Sequence, residues 1–199
     1  MPMTREQVRE ATRQRVLHAA DILFQDRGYG PTTVRDIATA AEVSVGTVMA
    51  AGDKSSLLVQ VFDEMVSAVH EQRRDIDAAT QRASTCADRL ELLVRPFIAL
   101  FAGSPDLART YASILVSGAH SSALLTELAE SLIWEFEATI AAHGCVAGHE
   151  ARSTAQALHA AYVGALFSWS ASGVSETAEI TQRLRGLFDS IVRCEEHPE

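Results

Sequence analysis

The sequence predicts an all-α protein. An N-terminal three-helix head of the helix-turn-helix kind is joined to a larger C-terminal helical bundle, with about nine helices in total. Three observations predict this. Apolar residues recur at helical spacing in almost every segment, and no stretch sustains the alternation of a strand. The breaks between segments hold Gly, Pro and Ser, as connections do. Residues 32–48 read as two short helices around a tight turn.

From Thr4 to Arg27 the outer positions are polar and charged, Val16, Ala19, Ala20, Leu23 and Phe24 face inward, and Gly28 supplies a stop. Thr33 and Asp36 form a capping box for the second helix, in which Ile37, Ala38 and Ala41 keep helical spacing. Ser44 caps the third, and its first turn, Val45-Gly46-Thr47, carries nothing bulky. A small, polar, well-capped first turn suits a helix whose N-terminus enters a DNA major groove. After Asp53, the residues Leu57, Leu58, Val61, Phe62, Met65 and Val69 define a long amphipathic helix reaching Ala79. Further helices are expected over Cys86–Ala102, Asp106–Ser117, Ser122–His143, His149–Ala171 and Glu176–Cys194. They are divided at Gly103-Ser104-Pro105, Gly118, Gly144 to Gly148 and Ser172-Gly173. The boundary falls at residue 54: a small three-helix head, 1–54, is joined stiffly through the fourth helix to a larger helical body, 55–199.

The last two helices read as an assembly surface. Leu158, Tyr162, Leu166 and Trp169 line one side of the first, where Ala160, Ala161, Gly164 and Ala165 allow close approach of another helix. Ile180, Leu184, Leu187 and Ile191 form a seam on the second. A dimeric four-helix interface is expected from Leu158, Ala161, Tyr162, Ala165, Trp169, Leu184, Leu187 and Ile191; burial of both stripes within one chain is the alternative.

With 47% hydrophobic and 22% charged residues in 199, the chain is an ordinary globular sequence. No apolar run approaches the roughly 18 residues of a membrane span, and Arg and Glu precede any apolar stretch at the N-terminus, so cytoplasmic residence and no membrane partner are expected. The net charge is −9, but residues 1–54 carry seven basic and seven acidic groups, which places the whole excess on the body. A near-neutral head on an acidic body is compatible with docking on DNA through the head alone. Arg5, Arg9 and Arg13 form one stripe of the first helix, either beside DNA phosphates or as a solvated face interleaved with Glu6 and Glu10.

Cys86, Cys145 and Cys194 are odd in number and far apart, which argues against a disulfide framework. His143, Cys145 and His149 bring three metal-ligating side chains into one turn, but their spacing matches no zinc signature and shows no fourth ligand, so no metal or cofactor is expected. No nucleophile elbow, phosphate-binding loop, His-Glu-x-x-His or dinucleotide fingerprint occurs, and the chain is not expected to be an enzyme.

Three stretches resemble the TetR-type transcriptional regulators: Ala19-Ala20-Asp21-Ile22-Leu23-Phe24-Gln25-Asp26-Arg27-Gly28-Tyr29, Thr32 to Ala38, and Val43-Ser44-Val45-Gly46-Thr47-Val48 followed by Lys54-Ser55-Ser56-Leu57-Leu58. The resemblance implies a homodimer that binds a palindromic operator in double-stranded DNA, usually as a repressor, and releases it on binding a small-molecule effector. It places Thr32, Thr33 and Arg35 on the phosphate backbone, Ser44, Val45, Gly46, Thr47 and Met49 on the reading helix, and Lys54 on a phosphate. It also puts the effector pocket among the fourth to eighth helices, where Phe62, Met65, Phe97, Phe101, Tyr111 and Trp134 are candidates and His70 and His120 offer polar handles. The apolar character of these stripes favours a hydrophobic or neutral effector.

The stretch Val48-Met49-Ala50-Ala51-Gly52-Asp53-Lys54 departs from the family pattern. It lacks the aromatics that usually follow the Gly-Thr pair and is one residue shorter. Those aromatics wedge the reading helix against the fourth helix in the family. The alternative function is therefore a helical small-molecule or protein-binding dimer with a degenerate head.

Overall fold

Hydroxyl side chains set where several helices begin, because each accepts a bond from a free N–H of the first turn. Thr4 accepts from Gln7 N at 3.2 Å, Thr33 from Asp36 N at 3.2 Å, Ser44 from Thr47 N at 3.1 Å and Thr85 from Asp88 N at 3.1 Å. The Asp53 carboxylate does the same for Ser56 N at 2.7 Å. The computed structural model describes residues 4–72, 85–122, 125–146, 148–173 and 176–194. Among them are nine helices and no strand: α1 (Arg5–Arg27), α2 (Val34–Ala40), α3 (Val45–Ala51), α4 (Lys54–Gln72), α5 (Cys86–Gly103), α6 (Pro105–Val116), α7 (Glu127–His143), α8 (Ala151–Ser172) and α9 (Thr177–Ile191).

The chain forms two compact units. The first takes the described residues up to Met65 together with Asp106–Ser122, and the second takes Val66–Pro105 and the described residues beyond Ser122. In the first, Val16, Leu17, Ala20 and Phe24 of α1 are buried with Ile37 of α2, Val48 of α3 and Leu57, Leu58 and Phe62 of α4. Tyr111 of α6 stacks on Phe62 at 4.5 Å between ring centroids and donates its hydroxyl to Asp63 Oδ1 at 2.7 Å. Ser122 donates to the same carboxylate oxygen at 2.6 Å. In the second unit, α8 packs against both α7 and α9, and α9 also packs against α5. Phe136 meets Phe188 edge-on at 6.0 Å, and Phe101 stacks on Phe167 at 6.4 Å.

Two element boundaries differ from those read in the sequence. Ser122 does not open α7: its hydroxyl is spent on Asp63 and Tyr111, and the helix starts at Glu127. The last helix ends at Ile191, three residues before Cys194. The expected continuation of α4 from residue 73 to Ala79 lies outside the described residues.

The expected dimer stripe also reads differently in three dimensions. Leu158, Tyr162, Ala165, Trp169 and Leu184 are buried within the second unit itself, at 4% exposure or less. They are core residues, since an apolar helical seam is satisfied equally by neighbours in its own chain. Ala161, Leu187 and Ile191 remain half-buried. No helix of the described residues is long and apolar enough to cross a membrane.

Candidate nucleic-acid interface

The α2–α3 turn is closed by backbone bonds. Ala41 N donates to Ile37 O at 2.9 Å, Glu42 N to Thr39 O at 3.2 Å and Val43 N to Ala38 O at 3.0 Å. This last bond is the wide loop of a Schellman ending, which needs a left-handed residue, and Glu42 supplies it at φ 53°. Val48 is wholly buried and anchors α3 from below, while Val45 (43% exposed), Met49 (51% exposed), Gly46 and Ala50 stand outward. Ser44 and Thr47 hold one another at the tip of α3, hydroxyl to hydroxyl at 2.9 Å. The outward face is thus a methyl-rich surface with two hydroxyls at one end, suited to thymine methyl contact and short hydrogen bonds.

Of the residues expected on the phosphate backbone, Arg35 and Thr33 are exposed at the start of α2. The Thr33 hydroxyl donates to Asp36 Oδ2 at 2.6 Å, and this bond with that of the Thr33 backbone N–H holds the Asp36 carboxyl below the usual carboxylate range. Thr32 is a correction. It is 1% exposed, and its hydroxyl bonds the carbonyls of Gly28 at 2.8 Å and Leu23 at 3.2 Å. Its polar group closes the α1–α2 connection and is out of reach of any phosphate. Lys54 donates from Nζ to Gly30 O at 3.2 Å, with Nζ 4.1 Å from the centre of the Tyr29 ring, and burial lowers its pKa. The Tyr29 and Ser55 hydroxyls lie 3.0 Å apart, so the aromatic that steadies Lys54 is itself tied to α4.

The aromatic-free stretch is bridged by polar groups and by close backbone approach. Gln60 of α4 donates its amide to Ala51 O, the end of α3, at 3.3 Å, and accepts from the Arg13 guanidinium at 2.9 Å. One side chain thereby links α1, α3 and α4. Gly52 sits so close to α4 that a Cβ there would meet Ser56 Oγ at 2.7 Å. With alanines in place of large rings, a groove of about 340 Å3 remains, lined by Arg9, Thr12, Arg13, Val16, Thr47, Ala50 and Ala51. Arg13 also pairs with Glu10 at 2.9 Å, so it braces the head, while Arg5 and Arg9 stay exposed.

The six effector-site candidates divide evenly between the two units. Phe62, Met65 and Tyr111 belong to the first; Phe97, Phe101 and Trp134 belong to the second. Phe97 lines a crevice with Val66, His70, Leu128, Leu132, His159 and Tyr162 whose cavity is about 10 Å3. His70 Nε2 lies 2.9 Å from Ser131 Oγ and 3.6 Å from Glu135. His159, missed in the sequence because a helical histidine carries no signal of its own, has its pKa lowered by burial. Trp134 is 65% exposed on α7 and lines no part of this crevice. His120 is 3.7 Å from Asp53, in the first unit.

The geometry defines a helix-turn-helix head of the DNA-binding kind. Residues 16–58 match the family model of the bacterial regulatory proteins, tetR family. Among solved structures, a TetR-family repressor, FadR of Thermus thermophilus in complex with lauroyl-CoA, superposes with a TM-score of 0.70 at 23% identity, over 94% of this chain and 98% of that one. A TetR regulator from Rhodococcus sp. RHA1 gives 0.63 at 18% identity over 92% and 97%. A TetR variant of Acinetobacter baumannii in complex with minocycline gives 0.54 at 20% identity over 90% and 93%. No curated protein sequence matches the chain significantly. The chain carries the TetR-family helix-turn-helix head and the TetR fold.

Proposed function

We propose that the protein is a ligand-responsive transcriptional repressor that binds a palindromic operator as a homodimer. The observation that carries this reading is the outward face of α3, held from beneath by Val48 and at its end by Gln60, with Arg35 and Lys54 flanking it as cations. In this reading Thr33, Arg35 and Lys54 set register on phosphates, while Ser44, Val45, Thr47 and Met49 meet base edges. Two copies of α3 about 34–36 Å apart enter successive major grooves.

The effector is a hydrophobic molecule with a polar end, taken up at the Phe97 crevice, where Val66, Leu128 and Leu132 offer apolar walls and His70 and His159 polar contacts. A cavity of about 10 Å3 has room for about one water, so uptake has to part the helices around it. That requirement couples the ligand to the shape of the body. A differential affinity of about 1–3 kcal/mol between two body states changes operator affinity by roughly 5–150-fold. Similar folds are known in complex with lauroyl-CoA and with minocycline.

The test is fluorescence anisotropy on DNA upstream of the protein's own coding sequence, with and without an acyl-CoA series. Arg35→Ala and Lys54→Gln are each expected to weaken binding and to reduce the salt slope by about 1. Unchanged binding in both rejects the docking. The absence of aromatics from Val48 to Lys54 favours one second reading, a helical binding dimer with a degenerate head. It predicts ligand binding with no preference for any upstream sequence.

A further inference from the structure

Cys86, the first residue of α5, is buried, and its sulfur meets side chains from the ends of two other helices in the second unit. His143 ends α7, Gly144 follows in the left-handed conformation at φ 78°, and this turn brings Cys145 back beside its own neighbour, with His143 Nδ1 2.7 Å from Cys145 Sγ. Cys194, three residues beyond α9, places its sulfur 2.8 Å from Cys145 Sγ and 4.0 Å from His143 Nδ1. All four ligand atoms lie within 4.8 Å of one another. His149, the residue grouped with them in the sequence, is elsewhere: its side chain is 83% exposed, 3.8 Å from Glu150.

We propose that Cys86, His143, Cys145 and Cys194 bind one zinc ion in a closed tetrahedral site that fastens the ends of α5, α7 and α9. Three sulfurs and one imidazole nitrogen are a donor set that structural zinc uses. With Zn–S near 2.3 Å and Zn–N about 2.0–2.1 Å, the edges of such a tetrahedron come to about 3.5–3.8 Å. The observed separations, from 2.7 Å to 4.8 Å, straddle those edges, so shifts of about an ångström seat the ion. The softness of thiolate ligands selects zinc over magnesium or calcium. Four protein ligands leave no open position, so the ion is a clamp and has no catalytic part. Its value to the fold follows from the chain separations it spans: Cys145 and Cys194 are 49 residues apart, and His143 and Cys194 are 51. Cys194 itself follows the buried Val192 in a short turn, in which its N–H donates to Val192 O at 3.0 Å. This site stands or falls independently of the DNA-binding reading.

The experiment is metal analysis of the full chain, purified and reduced, then dialysed against zinc chloride and against chelator. One zinc per chain is expected, with tetrahedral visible bands on cobalt substitution and a lower melting temperature after chelation. Cys194→Ser lies outside every helix, so it keeps the helical circular dichroism; it is expected to lose zinc affinity by more than the roughly 10–100-fold that outer-shell partners cost. His149→Ala is expected to bind zinc as the parent does. A reduced chain that takes up no zinc overturns the site, as does a Cys145–Cys194 disulfide whose reduced form binds no metal. Zinc binding equal to the parent's by Cys194→Ser and Cys145→Ser overturns it too.

Discussion

Thr32 and Thr33 are adjacent residues of one type with opposite assignments. Thr33 is exposed and caps α2, whereas Thr32 is buried and its hydroxyl lies 2.8 Å from Gly28 O and 3.2 Å from Leu23 O. The spacing to Asp36 marks Thr33 as the cap, but nothing in the sequence shows that Thr32 turns inward; only the path of the α1–α2 connection does. Thr32→Val keeps the shape and removes both bonds, and is expected to cost about 1–3 kcal/mol in urea denaturation while the folded fraction binds DNA as before. A weakened operator affinity at full folding would return Thr32 to the interface. His159 gives a second prediction at this scale. Burial depresses its pKa, with a smaller opposing pull from Glu130, so the unfolded chain takes up the proton first as pH falls. Its contribution to stability is therefore whole above the ordinary histidine value near 6.5 and is lost as pH drops through the lower, folded value. Melting temperatures between neutral pH and the carboxylate range are expected to fall less steeply in His159→Gln than in the parent; parallel curves would remove His159 from the acid response.

At the scale of elements, most of the architecture was legible because helix starts carry local chemistry. Thr33 and Ser44 announce their helices within four residues, and those two caps form as read; Thr4 and Asp53 cap α1 and α4 in the same way. The joint between α3 and α4 was not legible. The sequence shows missing aromatics there, but not that Gln60 reaches Ala51 O or that Gly52 presses on Ser56. These depend on how two helices meet, which spacing along one chain does not encode. Gly52→Ala tests the joint. Its Cβ would stand 2.7 Å from Ser56 Oγ and 3.0 Å from Ser56 Cβ, and Gly52 has φ 158°. Relieving the overlap displaces the contact between Gly52 and α4. A loss of operator affinity is expected that exceeds the loss of stability, measured by anisotropy alongside thermal melts. Partial restoration by Gly52→Ala with Ser56→Gly, which removes the opposing Ser56 atoms and leaves the backbone strain at φ 158°, assigns that share of the effect to this contact. A single variant that binds like the parent shows that the head tolerates a looser joint.

For the whole molecule, five residues read as an assembly surface, Leu158, Tyr162, Ala165, Trp169 and Leu184, are buried in the second unit. What α8 leaves outside is a stripe of small residues that includes the expected Ala160 and Gly164: Ser153, Ala157, Ala160, Gly164, Ser168 and Ala171 are all exposed, at spacings of three and four residues. Side chains this small permit close approach by a second helix, and the half-buried Leu187 and Ile191 of α9 supply apolar area with which a dimer contact can be completed. Gly164→Leu separates assembly from folding. A Cβ at Gly164 meets nothing within 4 Å, so the protomer has space for the larger side chain. Leucine also favours a helix over glycine by about 0.8–1.0 kcal/mol, so the protomer's own melting temperature should hold or rise. If α8 faces its twin, the same substitution forces the helices apart. Light scattering is then expected to show a monomer, and operator affinity to collapse because one head reads only one half-site. A Gly164→Leu protein that remains dimeric assigns the contact to another face, and a parent protein that is monomeric at operator-binding concentrations removes the two-headed reading altogether.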